Sequence, residues 1–360
     1  MSGGCSPCSP YDFALLLGAS AVVLVCGAVY QIIGTLRDRG RFPPPGRLVR
    51  FDKRRMHIHV IGEGTPTVVF ESGMGASCLS WTHVQGEVAQ FSRAVSYDRA
   101  GQGWSDPTSE PRTARQIAKE LHALLNAAGV PGPYVLVGHS FGGYVVRAFA
   151  DLYRHDVVGM VLVDSIHPAE WMNPTAEQQK VIHVGMGYAW IAAWLARLGF
   201  IRFCLARVAR GSPWLAWTAA RAFGTSATSA VQRIAGEIRK LPATVLPNVR
   251  AFWSQPKSFL SLAQYVAGLP VSARQSAAML SLGDLPLVVL SGDHHVPPYT
   301  DWQRDLAQLS SQARQLVVAE SGHWIHLDRP EIATEAIREV VSAARSAMRR
   351  EPSLPTSPKA

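Results

Sequence analysis

The sequence predicts an α/β fold, a mainly parallel sheet with helices on both faces. Short runs rich in β-branched and apolar residues recur at 67–72, 93–98, 134–140, 159–165, 286–292 and 314–321. Most are followed by a glycine or a polar residue and then by a helical pattern, the rhythm of strands alternating with helices. At one join, YVLVGHSFGGYVVRAFA (134–150), a lone serine stands between glycines. In such sheets ligands bind at the carboxyl ends of the strands.

The elements follow in order. Residues 13–36, FALLLGASAVVLVCGAVYQIIGTL, carry no charge over 24 positions, and at about 1.5 Å per residue they can cross a ~30 Å hydrocarbon core. Residues 1–36 therefore read as a membrane anchor. A cleaved secretory leader is the competing reading, with Cys26 and Ala28 as the small residues before a cleavage site. Such a leader needs a basic start, and the only charge before the span is Asp12. Arg37, Arg39, Arg41, Arg47, Arg50, Lys53, Arg54 and Arg55 then face only Asp38 and Asp52. This positive flank places the body in the cytoplasm. A basic, proline-containing linker with a first strand occupies 37–55, and a second strand is expected at 55–62.

The body reads as one interrupted core: 56–164, then a mainly helical insertion at 165–285, then 286–348, with 349–360 as a disordered tail. Helices are expected at 113–128, 141–153, 300–310 and 331–348. With 360 residues, 48% of them hydrophobic, the chain can bury a sizeable core. Five cysteines make no disulfide framework at this length. Cys5 and Cys8 lack the second pair that a zinc site needs. The net charge of +9 comes without a nucleic-acid recognition motif.

Gly138-His139-Ser140-Phe141-Gly142 is a G-x-S-x-G pattern between a strand and a helix, the context that gives it meaning. So sharp a turn exposes the serine Oγ before the free N–H groups of a helix start. Serine is a poor nucleophile until a base takes its proton. His323, in the loop after the last strand, is the expected base, and His326 reads as a packing or substrate-side residue.

With these residues in place the chain resembles the α/β-hydrolase superfamily, from about residue 47 to 348. ESGMGASCLSW looks like its oxyanion loop, SYDRAGQGWSD its following turn, GHSFGG its nucleophile elbow and SGHWIHLDRPE its histidine loop. The family commonly has histidine where Ser72 stands. The resemblance implies backbone donors from Met74 and Phe141, which do not depend on that histidine. It also implies that 165–285 is a cap over the site. Epoxide hydrolases and haloalkane dehalogenases of this fold use an aspartate nucleophile, which Ser140 is not. The expected activity is therefore that of a serine esterase or lipase-like enzyme on small apolar esters, through an acyl-enzyme and with no metal or organic cofactor. An acyltransferase, a carbon–carbon bond hydrolase, a cofactor-free haloperoxidase or a catalytically silent binding protein keeps the same pattern.

The triad acid departs from the family's commonest pattern. Counting G-x-x-D from Gly292 arrives at His295, with Asp293 two residues early. Some members of the family draw the acid from the strand after the nucleophile helix, which here ends in Asp164. Asp164 is favoured over Asp293. The cap carries six of the ten tryptophans and twelve Lys or Arg against three Glu. That composition suits either a hydrophobic cap interior with solvated arginines or a helix lying on an anionic membrane surface.

Overall fold

The alternating runs form one eight-stranded sheet in a computed structural model, which describes residues 10–209, 236, 238–279 and 281–350. The strands are β1 (Arg47–Phe51), β2 (Arg54–Ile61), β3 (Thr67–Glu71), β4 (Ala94–Tyr97), β5 (Tyr134–His139), β6 (Val157–Val163), β7 (Leu287–Gly292) and β8 (Ala313–Val318), in spatial order 1-2-4-3-5-6-7-8. β2 pairs antiparallel with β1 and β4, and every other pairing is parallel.

Alternation along the strands explains the two faces. Val69, Leu136, Leu162 and Val289 pack in one core with the helices α3 (Ala114–Ala127) and α4 (Gly142–Leu152). Their neighbours Val68, Val135, Val161 and Val288 pack in a second core, with α2 (Thr82–Val88) and the helix Pro330–Arg350. Each such side chain contributes roughly 1.5–3 kcal/mol by leaving water, so both faces must be covered. The chain order reverses at β3, with β4 on one side and β5 on the other. A crevice opens at such a switch point.

The helix α1 (Pro10–Arg41) is longer than the apolar run predicts. It carries Arg39 and Arg41 in its last turn, where cations suit the helix dipole, so the linker shrinks to residues 42–46. Residues 11–41 have a mean hydropathy of 2.3 over their most apolar stretch, none of it buried, long and apolar enough to cross a membrane. A leader sequence has the same length and composition.

The insertion between β6 and β7 holds α5 (Pro168–Trp171), α6 (Ala176–Arg197), α7 (Phe200–Ala209) and the helices Leu246–Trp253 and Pro256–Ala277. A capping box starts α6, with Thr175 and Gln178 bonding reciprocally to each other's backbone N–H. The last of these helices belongs to the body as much as to a cap, because Tyr265, Leu269 and Ala273 join the first core. Pro330–Arg350 likewise runs two residues into the expected tail. Cys5, Cys8, Arg210, Trp214, Trp217 and residues 351–360 lie outside the described residues.

Candidate active site

Ser140 follows β5 directly, and its φ of 53° puts a non-glycine residue in the left-handed region. Holding it there costs of order 1–3 kcal/mol. Side chains at the flanking glycines would prevent the turn: a Cβ at Gly138 would lie 2.7 Å from Val146 Cγ2, and one at Gly142 only 2.5 Å from the Glu71 carbonyl oxygen. The elbow is latched to the end of β6, since Ser140 N–H donates to the Val163 carbonyl at 3.1 Å and Ser165 Oγ to that of Gly138 at 3.0 Å.

Asp164 follows β6 directly, fully buried, and it too has a positive φ, 42°. Its Oδ2 lies 2.6 Å from His323 Nδ1, and its Oδ1 lies 2.6 Å from His295 Nε2. The Gly292 N–H reaches Oδ1 as well, at 3.3 Å. Burial pushes this carboxyl up, but the hydrogen bonds from His295 and His323 outweigh it and leave it below the ordinary aspartate value. It is therefore an anion at neutral pH. A carboxylate only accepts hydrogen bonds, so each facing ring nitrogen carries a hydrogen. In the neutral His323 ring this makes Nε2 the basic atom.

The two histidines of the last loop differ. His323 has a half-exposed side chain and stands beside Ser140's neighbour His139, with ring centroids 4.8 Å apart and its carbonyl 2.9 Å from His139 Nε2. His326 is fully buried against Trp81 at 4.5 Å, and burial lowers its pKa to about 3. It packs and stays neutral. Among the described hydrogen bonds none joins Ser140 Oγ to His323 Nε2, a contact that apo sites often close only on binding substrate.

Asp293 faces elsewhere. Its Oδ2 accepts from the Glu320 N–H at 2.8 Å and its Oδ1 lies 2.6 Å from His294 Nδ1, tying two surface loops together.

The loop after β3 is built around a buried ion pair. Arg99 Nε donates to Glu71 Oε1 at 2.6 Å, Tyr97 hydroxyl donates to Oε2, and the Arg99 guanidinium also holds the carbonyls of Ser72 and Gly73. Fixing those carbonyls turns the next N–H, that of Met74, away from them. Ser72, in place of the family's histidine, bonds instead to the Ser77 carbonyl at 3.1 Å and closes the loop. Neither Met74 N–H nor Phe141 N–H has a partner among the described hydrogen bonds, so both are free to donate. From the insertion, Trp253 roofs this loop: a Cβ at Gly75 would lie 3.2 Å from its ring.

Three residues at the site have no role in the sequence reading. Arg99 lies inside SYDRAGQGWSD and His295 stands where an aspartate is usual, but neither position reveals its partner. The third is Glu170, whose Oε1 accepts from Trp171 Nε1 at 3.0 Å while its buried Oε2 has no partner among the described residues. Burial raises its pKa, and His323, Asp164 and His295 all act on it electrostatically. An acidic side chain in a Trp-flanked position was the available signal.

For a metal, the described residues offer one group, His57, Cys78 and Asp98, with ligand atoms within 4.8 Å of one another. These are already engaged: His57 Nδ1 lies 2.9 Å from Asp98 Oδ2, and Asp98 accepts from the N–H groups of Cys78 (2.9 Å) and Trp104 (3.0 Å). The group serves as a buried brace for the turn after β4.

A family model described as alpha/beta hydrolase fold matches residues 66–330. The Bacillus subtilis (strain 168) protein YqjL is 41% identical over 106 residues, 29% of this chain and 42% of that relative. The chain thus spans less than half of that curated relative. A thermophilic esterase from Thermogutta terrifontis superposes with a TM-score of 0.58 at 20% identity, covering 83% of this chain and 98% of the other. The epoxide hydrolase CorEH superposes with a TM-score of 0.61 at 18% identity, covering 82% and 98%. At such identities the structural likeness speaks for the fold.

Proposed function

We propose that this chain, which belongs to the alpha/beta hydrolase fold family, is a serine hydrolase cleaving esters of apolar acyl groups. The observation that carries the reading is Asp164 held between β6 and the His323 loop, 2.6 Å from the imidazole, beside a strained serine. Ser140 Oγ attacks the ester carbonyl as His323 Nε2 takes its proton, and the oxyanion forms against the N–H groups of Met74 and Phe141. Collapse passes the proton to the leaving alcohol and leaves an acyl-serine. Water, deprotonated by the same imidazole, then releases the acid. Epoxide opening on this fold by a carboxylate nucleophile would need an aspartate at position 140. The test is labelling by a fluorophosphonate: Ser140 should be the modified residue, and an unmodified, folded protein would favour a silent binding protein.

His295 acts as a positioning residue for Asp164 in this scheme. It stands where the family's usual acid would be, and donates to the acid that replaces it. Replacing His295 with Ala removes a hydrogen bond to a charged group, worth about 1.5–3 kcal/mol. The expected result is a kcat lower by roughly 10- to 100-fold with KM little changed. A fall confined to KM would assign His295 to substrate binding instead. The pKa of His295 is raised, first by its hydrogen bond to Asp164. Its contribution to stability is therefore complete below the ordinary histidine value and lost as pH rises through the raised one. The stability gap between wild type and variant should narrow over that window.

The apolar α1 would anchor this enzyme, with the body on the cytoplasmic side as its basic flank implies. A C-terminal fusion to a reporter that folds only in the cytoplasm should be active. Activity of a periplasmic-type reporter in its place would reverse the orientation.

A further inference from the structure

The helix α1 is not a detached tether, because its second half is docked into the insertion. Gln31, the one strongly polar side chain in the apolar run, is only 5% exposed. Its Nε2 donates to the Ser254 carbonyl at 2.9 Å, and its Oε1 accepts from Arg202 Nε at 2.9 Å. Arg202 completes its bonds on the same helix, to Asp38 Oδ2 at 2.5 Å and Thr35 Oγ1 at 3.3 Å. The corner between α6 and α7 meets α1 backbone to backbone. A Cβ at Gly199, whose φ is 73°, would lie 2.6 Å from the Gly27 carbonyl oxygen, and one at Gly27 would collide with that of Leu198. Only a glycine pair permits that approach.

The docking fixes the depth of the corner. Gly27 lies nine residues inside the apolar end at Leu36, or about 14 Å along the helix axis. One leaflet of a ~30 Å hydrocarbon core is about 15 Å thick. If α1 crosses a bilayer, the α6–α7 corner is carried into the leaflet next to the body. The side chains there match such a solvent. Trp190, Ile191, Trp194, Phe200 and Phe203 are each about half exposed, on a corner bent by 87°. Arg197 reaches back over the Trp194 ring at 4.8 Å, as a snorkelling cation would. Arg202, the buried charge of the corner, is satisfied by Gln31, Thr35 and Asp38 of α1. A large apolar patch continuous with a membrane helix is poorly suited to water.

We infer that the α6–α7 corner of the insertion is a second, re-entrant membrane element, seated beside α1 in one leaflet, and that the partner of this aromatic face is the acyl-chain region of the bilayer. The insertion that roofs the oxyanion loop through Trp253 is then itself immersed in lipid. This inference rests on the geometry of α1 and the corner and not on the proposed ester chemistry.

The experiment uses the full chain in vesicles of phosphatidylcholine and phosphatidylglycerol whose acyl chains are brominated, with tryptophan fluorescence as the readout and no turnover required. The variant Trp190→Phe/Trp194→Phe is compared with wild type in brominated and plain vesicles. The difference signal, which reports those two rings, should be quenched at least about twofold by bromine. An unquenched difference signal would overturn the inference. So would a twofold larger mass of protein in detergent together with absent quenching, because a second copy of the chain would then cover the face. A mature chain lacking residues 1–28 would overturn it as well, since Gly27 would be gone. Restored quenching in Trp190→Phe, which keeps Trp194, supports it and guards against misfolding of the double variant.

Discussion

Replacing Ser140 with alanine is expected to lower kcat/KM for a medium-chain aryl ester by at least ~10³-fold, or about 4 kcal/mol of transition-state stabilisation. The full-length chain in detergent is the protein to assay, because α1 is bonded into the insertion through Gln31 and Arg202. Alanine at position 140 inherits the left-handed backbone, the latch to the Val163 carbonyl and the flanking glycines. Its folding should therefore change little, and the melting temperature serves as the control. The loss should fall on kcat, since the hydroxyl forms its bond to substrate only in the reaction. Turnover equal to wild type in a well-folded variant would sink the serine mechanism, and with it the proposed function. A residual rate above water is expected in either case if Met74 and Phe141 offer their N–H groups to the carbonyl oxygen.

Much of the fold was legible because a buried parallel sheet forces a simple pattern. Strands such as β5 and β6 are covered on both faces, so they read as unbroken apolar runs ended by glycine or a polar residue. The helices α3 and α4 and the C-terminal helix carry apolar residues at helical spacing and were expected within one or two residues of their observed ends. What stayed hidden depended on contacts across the chain. Helix α2 is short and holds a glycine and few strongly apolar residues, too weak a signal beside the loop it follows. The length of α1 was hidden because arginines in a last turn look like a linker until the helix is seen to continue.

The candidate site divides in the same way. Ser140 and His323 sit in local motifs, and local motifs can be read along the chain. Arg99 holds two carbonyls of a loop almost thirty residues earlier, and that pairing exists only because β3 and β4 are neighbours in the sheet. Burying this guanidinium with Glu71 makes it costly to disturb, about 3–5 kcal/mol where one partner of such a pair is removed. His295 was noticed as the residue standing where an aspartate is usual. Nothing in the sequence said that its ring would turn toward Asp164, 131 positions away. That contact follows from β6 lying next to β7, so that their carboxyl ends share one edge.

The same edge favours Asp164 of the two candidate acids, and in the proposed mechanism Asp164→Asn is expected to cost ~10³ to 10⁴ in kcat, or about 4 to 5.5 kcal/mol of barrier. Asp164 is fully buried between two imidazoles, with His323 on one oxygen and His295 on the other. As the anion it holds the His323 ring with a hydrogen on Nδ1, and in the proposed mechanism it would stabilise the imidazolium formed as Ser140 attacks. Asparagine keeps the shape and offers an amide. Its NH₂ group can turn toward His323 and reverse the tautomer, or turn toward His295 and leave only a neutral acceptor, and either way the imidazolium loses its counter-ion. Asp293 is exposed and bonded to the Glu320 N–H and to His294, away from the His323 ring. Asp293→Asn should change kcat by less than roughly tenfold, the scale of one peripheral hydrogen bond. The pH dependence carries a further sign. The Asp164 carboxyl is held below its ordinary value, so the stability it contributes is present above the ordinary aspartate value and is lost as pH falls through the depressed one. The asparagine variant should lack that acid limb in its unfolding curve. Both variants are measured in folded protein, by single-turnover acylation and by denaturant unfolding across pH. If Asp293→Asn is the crippled enzyme and Asp164→Asn turns over near the wild-type rate, the acid comes from the loop after β7, and the contacts at Asp164 serve only to hold the strand ends together.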